Sequence, residues 1–145
     1  MSSLTGSIAR RPIGTTGLQA SALGFGTGDN AGLMVLGSSA DQRNAVAAAI
    51  AAGMNYFDTS PDYGRGRAEE NLGRALKGRR GEVLITTKVE IMPADRHRLA
   101  KKVIESIDQS LRRLRTNHVD ILMLGADSRA MPTNTGAKSN PRPNS

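Results

Sequence analysis

The 145-residue sequence has no cysteine and no tryptophan, and only two tyrosines, two phenylalanines and two histidines. Without cysteine there can be no disulfide and no thiolate metal site, which points to a cytoplasmic protein. So few aromatics exclude a stacking platform for nucleic-acid bases and leave a core of Ala, Val, Ile and Leu. Long apolar runs are missing too. The longest, Ala45 to Ala52, is mostly alanine and far short of the roughly 20 residues that span a membrane. Met1 to Ser7 lacks the apolar stretch of a signal peptide. The expectation is a soluble protein with no membrane or nucleic-acid partner.

What the sequence does have is positive charge, a net +7 with a pI near 10.6. The basic residues are scattered from Arg65 to Arg115 among acids and aliphatics. They read first as a solvated helical surface, next as attraction for a phosphorylated cofactor, and last as a polyanion footprint.

Apolar periodicity orders the rest. Arg10 to Ile13 and Leu18 to Ala20 flank Gly14-Thr15-Thr16-Gly17 as a small hairpin. A short strand, Ala22 to Gly26, precedes a Gly-rich loop, Thr27 to Gly37. Helices are expected over Ser38 to Ala52, with Ser38 and Asp41 as a capping pair, and over Ala68 to Lys77, with Glu69 and Glu70 favoured by the helix dipole. A third begins near Asp95 and carries Leu99, Val103, Ile107, Leu111 and Leu114 on one face. Between them lie apolar strands at Met54 to Phe57, Val83 to Thr87 and Val119 to Leu124. Strands and helices alternating at roughly 30 residues per unit describe a parallel sheet covered by helices. Gly125 to Ser145 contains no Val, Ile, Leu or aromatic residue and reads as a disordered tail. The expected organisation is a flexible stretch 1–9, a folded part 10–124 and a tail 125–145.

Three polar residues stand at comparable places: Asp58 after the second strand, Tyr63 in the following loop and Lys88 after the third strand. Their local sequences are specific. Asn55-Tyr56-Phe57-Asp58-Thr59-Ser60-Pro61-Asp62-Tyr63-Gly64, Glu70-Asn71-Leu72-Gly73, Ile85-Thr86-Thr87-Lys88-Val89 and Val119-Asp120-Ile121-Leu122-Met123-Leu124 follow one another. With Gly14 to Leu18 and Leu23 to Thr27 upstream, they resemble the aldo-keto reductases, over about residues 10 to 124. The resemblance implies an α/β fold: an N-terminal hairpin and about half of a (β/α)8 barrel, four parallel strands and three helices. It implies hydride exchange between NADP(H) or NAD(H) and a small carbonyl or sugar substrate. Tyr63 would be the proton donor, Lys88 the cation that stabilises its phenolate, and Asp58 the partner of Lys88. Gly26, Thr27 and Asp58 match positions that approach the nicotinamide. The wording of Thr59 to Tyr63 resembles branches that oxidise sugars to lactones.

One departure stands out. The family's fourth catalytic group, a histidine five residues after the aspartate matching Asp120, is Gly125 here. His118 lies seven residues away, roughly 23 Å along a strand, and His97 sits between two arginines. Gly24-Phe25-Gly26-Thr27-Gly28 lacks the spacing of a dinucleotide fingerprint, and no metal-ligand cluster occurs. Three readings follow: an incomplete reductase inactive alone, a non-catalytic half-barrel that self-associates through exposed sheet edges, or a reductase assembled from two half-barrels. Gly125 argues against the last.

Overall fold

The computed structural model describes residues 8–28 and 32–126. A hairpin of β1 (Arg10–Pro12) and β2 (Gln19–Ser21) pairs antiparallel. It is followed by a four-stranded parallel sheet of β3 (Phe25–Gly26), β4 (Tyr56–Asp58), β5 (Leu84–Ile91) and β6 (Ile121–Ala126), in sequence order. The crossovers contain α2 (Ser39–Ala51), α3 (Arg67–Ala75) and α4 (Leu99–Leu114). Parallel neighbours need such crossovers, so the strand order follows from the alternating pattern. The α/β expectation of a hairpin, four parallel strands and three helices is met.

Local chemistry fixes both ends of α2. Ser38 Oγ accepts from the backbone N–H of Asp41 at 3.1 Å and donates to its carboxylate at 2.7 Å, capping α2. Gly53 (φ 96°) ends it in the left-handed region that glycine occupies without strain. Phe57, Ile85, Val46, Leu72, Leu76 and Leu114 join in one core between the sheet and its helices.

The structure differs from the sequence reading in several places, among them the third expected helix, which starts at Leu99 after a 3-10 turn over Pro93–His97 and not near Asp95. The loop Thr27 to Gly37 contains a short helix, α1 (Leu33–Leu36), whose Met34 is buried in the core. Side chains from both neighbouring helices hold it: Asn71 Nδ2 donates to Met34 O, and Gln42 Nε2 to Leu33 O. The first sheet strand is confined to Phe25–Gly26, because only those residues pair with β4. Strand β5 runs three residues past Lys88, since Lys88 to Ile91 continue the ladder with Met123 to Ala126. By the same pairing β6 starts at Ile121, not Val119, and takes in Gly125 and Ala126, two residues beyond the expected boundary at 124. On α4, Leu99 is exposed while Ser110 is buried beside Leu114, so the inward face is rotated from the expected one.

At the N-terminus, Ala9 is tied in by the Ala22 N–H. The expected flexibility of residues 1–7 and the expected disorder from 127 onward fall outside the described residues. Among the described residues no helix is long and apolar enough to cross a membrane.

Candidate active site

In a parallel ladder, directly opposed residues share a face. Gly26 opposes Asp58, Asp58 opposes Thr86, Lys88 opposes Met123 and Glu90 opposes Gly125. Gly26, Asp58, Lys88 and Gly125 therefore lie on one face, toward the C-terminal ends of the strands. Tyr63 arrives from the loop after β4 on a 3-10 turn, Tyr63–Gly66, whose Gly64 and Arg65 have left-handed backbones (φ 59° and 56°). Glycine accepts that conformation freely and arginine does not.

The three expected polar residues meet. Lys88 Nζ donates to both carboxylate oxygens of Asp58, at 2.8 and 2.9 Å, and to the Thr59 carbonyl at 3.0 Å. The same nitrogen lies 3.4 Å from the Tyr63 hydroxyl and 5.0 Å from the centre of its ring. One ammonium thus joins the end of β4 to the tyrosine loop. Burial opposes the positive charge, but the hydrogen bond and charge of Asp58, with Tyr63 adding, hold the Lys88 ammonium above its ordinary range. With Lys88 charged and Tyr63 beside it, loss of the phenol proton leaves an anion next to a cation.

The nicotinamide-end positions are less uniform. A side chain at Gly26 would meet nothing within 4 Å, so open space lies beside Asp58. A side chain at Gly28 would touch the Tyr63 ring at 3.7 Å. Thr27, by contrast, is buried, and its hydroxyl and backbone N–H both donate to the Asp58 carbonyl at 3.0 Å. Thr27 therefore fixes the backbone of Asp58. At position 125, a side chain would stand 3.5 Å from Glu90 Oε1, so a carboxylate borders the place where the resemblance puts a histidine. His97 and His118 are both exposed, on the turn before α4 and before β6. Among the described residues no three His, Cys, Asp or Glu gather to hold a metal.

Residues 22–138 match the sequence profile of the Aldo/keto reductase family. The chain belongs to the aldo/keto reductase family. An aldo-keto reductase of Bacillus subtilis (strain 168) is 34% identical over 118 residues, covering 75% of this chain and 35% of that protein. An L-galactose dehydrogenase of Arabidopsis thaliana is 37% identical, covering 79% and 37%. A crystal structure of a Klebsiella pneumoniae aldo-keto reductase in complex with NADPH superposes with a TM-score of 0.61 at 30% identity, over 73% of this chain and 35% of that one. The chain thus spans about a third of the length of these family members.

The sequence reading missed a second cluster beneath this one. Glu69, expected in the first turn of its helix where the dipole favours acids, is there but fully buried and bonded to Thr87 and Arg113. An amphipathic count could have flagged it, since Glu69 stands one turn before Leu72 and Gly73 on the inward face of α3.

Proposed function

We propose that Asp58, Tyr63 and Lys88 are the proton-transfer group of an NAD(P)(H)-dependent oxidoreductase acting on a small carbonyl or sugar. The observation that carries this is one ammonium, Lys88 Nζ, bonded to Asp58 and within 3.4 Å of the Tyr63 hydroxyl. A bound nicotinamide would supply or accept the hydride, lying in the opening by Gly26 with Asp58 beside it. Tyr63 gives its proton to the carbonyl oxygen, or takes it back from an alcohol. Lys88 stabilises the phenolate that results, and Asp58 holds Lys88 in place. The NADPH complex of the Klebsiella relative supports this cofactor class, and the L-galactose dehydrogenase supports a sugar among the substrates.

Gly125 has no side chain to hydrogen-bond a carbonyl oxygen. We therefore expect the chain by itself to turn over no substrate. Purified chain is titrated with NADPH by fluorescence and then mixed with aldehydes and aldoses while absorbance at the reduced cofactor's band is followed. No carbonyl-dependent oxidation is the expected result. Oxidation that disappears in Tyr63→Phe would keep the assignment of the tyrosine and overturn the inactivity.

A second reading, self-association, is favoured by β6, where Leu122, Met123 and Leu124 are 37%, 47% and 69% exposed. A strand edge with apolar side chains on both faces is a template for pairing. Light scattering on the same sample decides it: a monodisperse dimer supports this reading and a monomer sinks it.

A further inference from the structure

Glu69 is a buried carboxylate that the proton-transfer scheme does not use. It is 0% exposed at the start of α3. One oxygen accepts from Thr87 Oγ1 at 2.6 Å, and the other from Arg113 Nε at 2.6 Å. A carboxylate taken out of water is costly to keep charged unless hydrogen bonds and an opposite charge replace the lost solvent. Here two elements supply them, β5 through Thr87 and α4 through Arg113.

Each partner leads to the candidate site by a short path. Thr87 precedes Lys88 on β5, and its side chain is buried on the opposite face of the strand. Arg113 lies across the turn that delivers Tyr63: a side chain at Gly66 (φ 90°) would come within 2.7 Å of Arg113 Cδ. Arg113 is steadied in turn by Ser110 Oγ, at 3.2 Å from its Nη2. One arm of Glu69 thus holds the strand that carries the lysine. The other holds the arginine that backs the tyrosine turn.

We propose that Glu69 is a positioning residue: through Thr87 and Arg113 it sets the separation of Lys88 and Tyr63. This rests on the reading of Asp58, Lys88 and Tyr63 given above. The alternative is a plain staple between α3 and α4, and the two differ at Thr87. Removing the Thr87 hydroxyl leaves the ion pair with Arg113 whole, yet it frees β5 from Glu69.

The test uses the full chain, labelled with ¹⁵N, near neutral pH. A lysine ammonium held by hydrogen bonds gives a ¹H–¹⁵N signal, whereas solvated ammonium protons exchange too fast to be seen. The unaltered chain is expected to show a Lys88 signal that vanishes in Asp58→Asn. Glu69→Gln and Thr87→Val are each expected to lose most of it, and Thr87→Ser to restore it. Val46→Ala, which opens a cavity in α2 away from this network, is expected to lower the melting temperature and leave the signal intact. If Glu69→Gln fails to fold, Thr87→Val decides alone. A signal unchanged in Thr87→Val reduces Glu69 to a staple and overturns the proposal. No signal in the unaltered chain, or one that survives Asp58→Asn, means that the pairing of Asp58 with Lys88 is itself wrong, and the underlying reading falls with the proposal.

Discussion

The two ends of the parallel sheet carry the same kind of interaction and put it to different uses. At the C-terminal end, Asp58 pairs with Lys88. At the N-terminal end, Asp120 pairs with Arg80 at 2.7 Å. Arg80 also donates to the carbonyls of Val83 and His118, at 2.7 and 3.1 Å. The same Asp120 oxygen accepts the Ile85 N–H at 2.8 Å. The rigid fork of arginine spreads over fixed backbone acceptors and cannot lose its proton. The ammonium of Lys88 is a point charge that can, and one of its neighbours is a phenol. The N-terminal pair closes the start of β5 and β6, whereas the C-terminal pair keeps a titratable group in reach of open space. This matches the division in parallel barrels between a stabilising bottom and a chemical top.

The comparison is broken most severely by removing one member of the pair at each end. Asp120→Ala strips the partner from Arg80 and the acceptor from the Ile85 N–H. A loss of about 2–4 kcal/mol is expected in urea unfolding, as for other partly buried pairs deprived of one member. Asp120→Asn keeps an acceptor for Ile85 and is expected to lose about half as much. At the other end Lys88→Met leaves Asp58 within reach of water, and a change within about 1 kcal/mol is expected. Equal losses at both ends would erase the distinction.

Alkaline pH sharpens the contrast. The Lys88 ammonium is held above its ordinary 10.5 in the folded chain. Its contribution is therefore fully present below the unfolded value and is lost as pH rises through the folded one. The melting temperature should fall faster above pH 10.5 in the unaltered chain than in Lys88→Met. Asp120→Asn leaves Lys88 and its partners untouched, so it should keep the alkaline slope.

Acid gives a smaller effect of opposite sign. The Met92 N–H, bonded to Asp95 Oδ2 at 3.0 Å, holds that carboxylate below its ordinary 3.8, with Lys102 and Arg98 adding. Its contribution is present above 3.8 and is lost as pH falls through the lowered value. Asp95 caps the turn leading from β5 into α4. Asp95→Asn should therefore lower stability at pH 6 and flatten the loss measured between pH 4 and 2.

How far the sequence reached follows from how local each feature is. Ser38 with Asp41, Gly53 after α2 and the five-residue step from Asp58 to Tyr63 are contained in a few residues, and all were legible. Strand lengths were not, because they are set by the neighbour: Lys88 looked like a strand end until Met123 to Ala126 extended the ladder. The run Leu33-Met34-Val35-Leu36 was hidden by flanking glycines, although Asn71 and Gln42 hold it as a helix. The burial of Glu69 was out of reach for the same reason, since its ion partner lies 44 residues away. Local preference placed it in a first turn; only the fold shows that this turn faces inward.

The smallest prediction concerns Thr59, which follows Asp58 at the C-terminal end. Its carbonyl holds Lys88, while its hydroxyl is the one buried side-chain N or O among the described residues left without a partner. A buried hydroxyl with no hydrogen bond opposes folding by the cost of its lost hydration. Thr59→Val keeps the shape and the carbonyl and removes that cost. A gain of up to about 1 kcal/mol in urea unfolding is expected, with the Lys88 ammonium signal unmoved. A loss of similar size would mean that a bound water satisfies the hydroxyl, and the top of the sheet would then be wetter, and less sharply set apart from solvent, than its packing implies.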